Sequence, residues 1–141
     1  MLKGIPKILS PELIKTLMEM GHSDEIVIAD GNFPAATCAK RLIRADGHNV
    51  LELLEAILKL FPLDTYSTPV YLMEKVKGDT VPTPIWDEYE NIVKNFDDQA
   101  TIEHIERFAF YERAKNAFAV IATGEKALYA NVILKKGVVV D

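Results

Sequence analysis

The strongest constraint on this chain is an alternation. Short apolar runs of strand length take turns with longer stretches whose apolar residues recur every three or four positions. Residues 25–30, 40–45, 69–76, 102–106, 118–122 and 129–134 read as strands. Helical spacing follows Ser10, Asn49 and Pro84 and covers 108–116. Strands that alternate with helices predict an α/β fold with a central, mostly parallel sheet flanked by helices. At 141 residues the chain is long enough for one well-filled core and short for two, so residues 1–141 form a single domain.

Local signals place the boundaries. Ser10-Pro11-Glu12 is a helix start, with a hydroxyl cap, proline at the first helical position and an acid in the first turn. Leu13, Ile14, Leu17 and Met18 share a face of that helix, and Gly21 is its expected stop. Residues 25–30 are apolar enough for burial on both sides of a sheet. Asp46-Gly47 marks a turn and Asn49 a helix cap, before a stripe of Val50, Leu53, Leu54, Ile57, Leu58 and Phe61 that Pro62 ends. Ile85, Trp86, Tyr89, Ile92, Val93 and Phe96 form a second stripe, read as core packing rather than a ligand box. The turn at 123–126 lets 129–134 pair antiparallel with the strand before it. The apolar tail Val138-Val139-Val140 asks for cover from another subunit.

Composition excludes several functions. The net charge of −5 argues against nucleic-acid and anionic-membrane partners. No stretch has the length of a membrane span, and the start lacks the apolar run of a signal peptide. The single cysteine, Cys38, has no partner for an internal disulfide, which fits a reducing cytoplasm. No phosphate-cradling glycine motif, metal-ligand pair or Gly-x-Ser-x-Gly elbow is present.

The candidate chemistry centres on His22 and Asp30, which bracket the strand at 25–30. His22 follows a helix C-terminus, whose partial negative charge suits a cationic ring and a role in proton transfer; bonding the last helical carbonyls is its structural alternative. Asp30 sits just outside the carboxyl end of a strand, where ligands approach α/β sheets, and could equally start an Asx turn. Arg107 ends a strand and could bond sugar hydroxyls or pair with a surface acid. Tyr129 and Asn131 lie two apart on one strand face, and a phenol with an amide suits a neutral polyol. His48 and His104 read as solvated or capping residues.

Four segments carry a family likeness: Glu19-Met20-Gly21-His22 with Asp24-Glu25; Asp30 with Asn32-Phe33-Pro34-Ala35; Arg107-Phe108-Ala109-Phe110-Tyr111-Glu112-Arg113-Ala114; and Thr123-Gly124-Glu125 through Tyr129-Ala130-Asn131 to Gly137-Val138. With Ile43-Arg44-Ala45-Asp46-Gly47, they make the chain resemble, nearly end to end, the sugar mutarotases that include D-ribose pyranase and L-fucose mutarotase. The 107–114 run is similar to the fucose branch; the ribose branch has a histidine at the Arg107 position. The resemblance implies a ribose pyranase-like fold and an isomerase that interconverts the α and β anomers of L-fucose, with pyranose–furanose exchange of related sugars. It implies His22 as proton donor, and Asp30, Arg107, Tyr129, Ala130 and Asn131 as sugar-binding positions, Ala130 through its backbone. It further implies a homodecamer with sites built between subunits, and neither cofactor nor metal.

On this reading His22 protonates the ring oxygen, Asp30 and Arg107 grip hydroxyls, and Tyr129 and Asn131 complete the grip. The base is open among Asp30, Tyr129 and a water. The alternatives are D-ribose pyranase and a non-catalytic monosaccharide-binding module.

Overall fold

The computed structural model describes residues 1–141. The chain forms α1 (Pro11–Glu19), β1 (Glu25–Ala29), α2 (Ala35–Cys38), β2 (Leu42–Ala45), α3 (Val50–Leu58), β3 (Val70–Met73), α4 (Ile85–Phe96), β4 (Ile102–Ile105), α5 (Arg107–Asn116), β5 (Ala119–Thr123) and β6 (Val132–Lys135). The six strands make one sheet in the order β2-β5-β1-β6-β3-β4. The β1–β5, β2–β5 and β3–β4 pairs are parallel, while β6 runs antiparallel to both β1 and β3. The α/β expectation therefore holds. The predicted β5–β6 hairpin does not, because parallel β2 and β1 occupy both edges of β5.

Side-chain alternation along the strands divides the core into two layers. Ile26 and Ile28 of β1 pack with Leu13, Leu53, Ile57 and Tyr89 under α1, α3 and α4. Val27 and Ala29 pack with Phe33, Cys38 and Phe110 under α2 and α5. β1 is fully buried from Ile26 onward, so it reads as a continuous apolar run rather than an alternating one.

The helix starts follow their signals. Ser10 Oγ accepts the Leu13 N–H at 3.1 Å, and Asn49 forms a reciprocal capping box with Glu52. Two details differ from expectation. Met18 is 81% exposed, and the buried face of α1 is Leu13, Thr16 and Leu17. The left-handed residue after α1 is Ser23 (φ 72°), not Gly21, because Asp24 Oδ2 accepts the Gly21 N–H at 2.8 Å and tightens the turn one step later.

All five parallel strands end on one side of the sheet, and β6 begins there. Residues 30–33, 74–79, 107 and 124–131 therefore converge at that rim. The opposite rim is held by a second set of backbone bonds. Ser23 N–H donates to the Lys136 carbonyl at 2.9 Å, Asp64 N–H to Lys135 at 3.0 Å, and Gly137 N–H to Pro62 at 2.8 Å. The 62–64 and 135–137 segments run so close that a Cβ on Gly137 would lie 2.4 Å from the Leu63 carbonyl oxygen. Gly137→Ala is predicted to cost about 1–3 kcal/mol, read as a lower urea midpoint, and to shift the ring resonances of His22, which this junction positions.

Candidate active site

At the carboxyl rim a cleft of about 270 Å³ is lined by Asp30, Asn32, Asp79, Arg107, Tyr129 and Asn131, with apolar walls that include Phe33 and Tyr111. Asp30 is its most buried acid, 7% exposed. Its N–H donates to Asn131 Oδ1 at 2.7 Å, Oδ1 accepts the Asn32 N–H at 3.0 Å, and Oδ2 accepts the Ala130 N–H at 3.4 Å. The Asx turn is therefore formed, and the same residue lines the cleft. Burial pushes the Asp30 carboxyl above the ordinary range, further helped by Glu125 and only partly opposed by the backbone donors. The backbone donor fixes the orientation of Asn131, whose amide NH₂ is left without a partner in the chain.

Tyr129 and Asn131 do not share a strand face. They precede β6, and Tyr129 is left-handed (φ 55°). The α4 stripe holds this loop. Trp86 Nε1 donates to the Tyr129 carbonyl at 2.8 Å, and the buried Tyr89 hydroxyl donates to the Ala130 carbonyl at 2.6 Å. With its N–H on Asp30, Ala130 has both backbone groups engaged within the chain. The stripe is core, as expected, but its polar tips shape the cleft. The Tyr129 hydroxyl donates to Asp79 Oδ2 at 2.6 Å and accepts the Val76 N–H at 3.2 Å. The bond to Asp79 holds the phenol above its usual range and so keeps it protonated.

Arg107 opens α5 rather than closing β4. Glu106 takes the cap, accepting the Phe108 and Ala109 N–H groups. The guanidinium lies 4.5 Å from the Phe108 ring centroid, and its Nε is a buried donor without an acceptor. A buried unpaired donor costs roughly 1–3 kcal/mol, and other atoms of Arg107 line the cleft.

His22 lies at the other rim. Five strand residues at about 3.3 Å each separate it from Asp30, roughly 16 Å of β1 alone. Its side chain is 42% exposed, and Nε2 meets Asp64 Oδ1 at 3.0 Å. Its partner is thus a carboxylate rather than the last carbonyls of α1. Asp64 also accepts the Ser67 hydroxyl at 2.8 Å and the Tyr66 N–H at 3.2 Å. Burial alone would raise the Asp64 pKa, but the bonds from His22, Ser67 and Tyr66 outweigh it and hold it at about 2. The exposed Tyr66 ring sits 5.3 Å from the imidazole. His48 pairs with Glu52 at 3.3 Å, and His104 lies against Trp86, so neither joins a site. Sequence reasoning missed Asp64, Asp79 and the Trp86 and Tyr89 donors. Asp64 and Asp79 stand in loops without periodicity, and the aromatic pair is hidden inside an apolar stripe. Tyr89→Phe is predicted to leave the Ala130 carbonyl unpaired and cost about 1–3 kcal/mol in urea unfolding.

Comparison with known proteins shows the family of the chain. The model of the RbsD / FucU transport protein family matches residues 3–139. Fucose mutarotase of Homo sapiens is 56% identical over 144 residues, spanning 97% of this chain and 94% of that protein. The solved structure of the fucose mutarotase in complex with L-fucose from Streptococcus pneumoniae superposes with a TM-score of 0.94 at 55% identity, covering 99% of this chain and 100% of the other. Bacillus subtilis RbsD complexed with D-ribose is more distant, with a TM-score of 0.75 and 26% identity over 99% of this chain and all of that one. No helix is long and apolar enough to cross a membrane. The chain belongs to the RbsD / FucU transport protein family.

Proposed function

We propose that this protein is an L-fucose mutarotase whose site is shared between two copies of the chain. The observation that carries the reading is the 55% identity, over nearly the full length, to a mutarotase solved with L-fucose. The cleft supports it. The Arg107 guanidinium, the Asn131 amide and the Asp30 carboxylate all line the cleft and offer the donors and acceptor that a hydroxyl-rich neutral ligand requires. Because one chain holds His22 and Asp30 on opposite rims, a neighbouring subunit brings its His22 to the cleft. Exposed Tyr66, Phe108 and Leu128 beside the two half-sites, and the exposed Val138–Val140 tail, supply apolar surface for that contact. The family resemblance supports a decameric assembly. The buried, unpaired Cys38 is in keeping with a cytoplasmic location.

The reaction is the opening and reclosure of a hemiacetal. Protonated His22 donates to the ring oxygen as the bond from that oxygen to the anomeric carbon breaks. The anomeric hydroxyl gives its proton to Asp30, and the open aldehyde results. Rotation of the aldehyde followed by reversal of both transfers gives the other anomer. Asp30 suits the base because its burial raises its affinity for protons, and a carboxylate with about four acceptor sites keeps capacity beyond its three backbone donors. Tyr129 is the poorer base, since its phenol is held protonated by Asp79. Arg107, Asn131 and Tyr129 position the sugar. Nothing is oxidised.

Saturation-transfer NMR of L-fucose is expected to show accelerated anomer exchange, and His22→Ala to lose about 10²–10⁴-fold of it. Bound sugar without acceleration would mean a binding module, and faster exchange of D-ribose than of L-fucose would mean a pyranase. Since Asp30 must be ionised to accept a proton and its pKa is raised, kcat/KM is predicted to fall with decreasing pH from above the ordinary carboxylate range. The Asp30→Asn variant should lose that acid limb together with the activity.

A further inference from the structure

The proposed mechanism uses the His22 ring but leaves unexplained why Asp64 is buried behind it. Asp64 is 3% exposed, and both of its oxygens are engaged, Oδ1 by His22 Nε2 and the Tyr66 N–H and Oδ2 by the Ser67 hydroxyl. An ionised carboxylate only accepts, so the ring nitrogen facing it must carry a hydrogen. The acid is itself held from behind. Ser67 Oγ, having given its proton to Asp64, accepts from Lys135 Nζ at 2.9 Å. Lys135 lies 3.9 Å from Glu25 Oε2, which also takes the Arg113 guanidinium at 2.8 Å. The backbone beside the ring is fixed by the Ser23 N–H bond to the Lys136 carbonyl, and Tyr66 stands against the imidazole.

We propose that Asp64 is the positioning residue for His22: it holds Nε2–H and thereby makes Nδ1 the one nitrogen that exchanges a proton with the sugar. This rests on the mutarotase reading and deepens it. A mutarotase donor must give a proton at ring opening and retrieve it at closure, so the same nitrogen must face the ring oxygen both times. A neutral imidazole has one N–H and one lone pair, and without a fixed acceptor either tautomer is available. Asp64 removes that choice, as the aspartate of a Ser-His-Asp triad does for its histidine. Protonated His22 then has Nε2–H on Asp64 and Nδ1–H free for the sugar. Once that proton has left, Nδ1 presents the lone pair that takes it back.

The test combines tautomer and kinetics on the full-length assembled protein. In long-range ¹H–¹⁵N spectra of histidine-labelled wild type, neutral His22 is expected to carry its hydrogen on Nε2. Asp64→Asn, whose amide can donate as well as accept, is expected to admit the Nδ1–H tautomer and to lower kcat for fucose exchange on the order of 10–10³-fold, with KM within about twofold. Ser67→Ala keeps the His22–Asp64 bond and is expected to keep the tautomer and most of kcat. An Nδ1–H ring in active wild type, or wild-type kcat in Asp64→Asn, would overturn the proposal. The wild-type tautomer decides even if Asp64→Asn does not fold. Wild type that leaves fucose exchange unaccelerated while its ring is Nε2–H would count against the mutarotase reading and not against the tautomer assignment.

Discussion

The β1–β6 ladder is the interaction on which the rest of this molecule depends. Ile26, Val27 and Ile28 pair antiparallel with Leu134, Ile133 and Val132 in the middle of an otherwise parallel sheet. Because β6 is reversed, its start lies at the carboxyl rim beside Asp30 and its end at the amino rim beside His22. The bond from Asp30 N–H to Asn131 closes one end of the ladder, and that from Ser23 N–H to Lys136 closes the other. A parallel β6 would deliver the Tyr129–Asn131 loop to the wrong rim and leave Asp30 without its partners. The ladder residues Ile26, Val27, Ile28, Val132, Ile133 and Leu134 are completely buried, so the two rims are tied to a rigid element rather than to mobile connections.

In the proposed mechanism that rigidity has a functional cost that assembly removes. Strong ordering of each rim prevents one chain from folding its own His22 onto its own cleft. The cleft keeps a buried unpaired Arg107 donor, and the other rim keeps a half-exposed imidazole locked to a carboxylate. Each is an incomplete constellation that a second copy can complete without rearranging either. On the proposed reading such a division ties catalysis to oligomerisation, since groups so far apart in one chain do not reach one small sugar.

Much of the fold was legible in the sequence because its signals are local. Ser10-Pro11, Asn49 with Glu52, and the apolar runs at β1, β3 and β5 each act over a few residues, and they became caps and buried strands. The errors arose where long-range pairing decides. The turn at 123–126 looked like a hairpin, but β5 was already paired on both edges. Met18 lay on an apolar helical stripe, yet the core met α1 through Thr16 instead. The proposed site residues were visible by type and position, and Asp30, Arg107, Tyr129 and Asn131 do converge. Asp64 was not visible, because its partner is 42 positions away and no spacing rule joins a loop aspartate to a histidine across that distance.

The most direct test of a site divided between copies is complementation. His22→Ala and Asp30→Asn chains, each inactive alone, can be co-expressed and the mixed oligomer assayed for fucose anomer exchange. If His22 and Asp30 act from different subunits, random mixing restores about a quarter of the wild-type sites, since each productive site needs one intact contribution from each neighbour. A mixed oligomer that forms and stays inactive would contradict the account, as would full activity in a monomer.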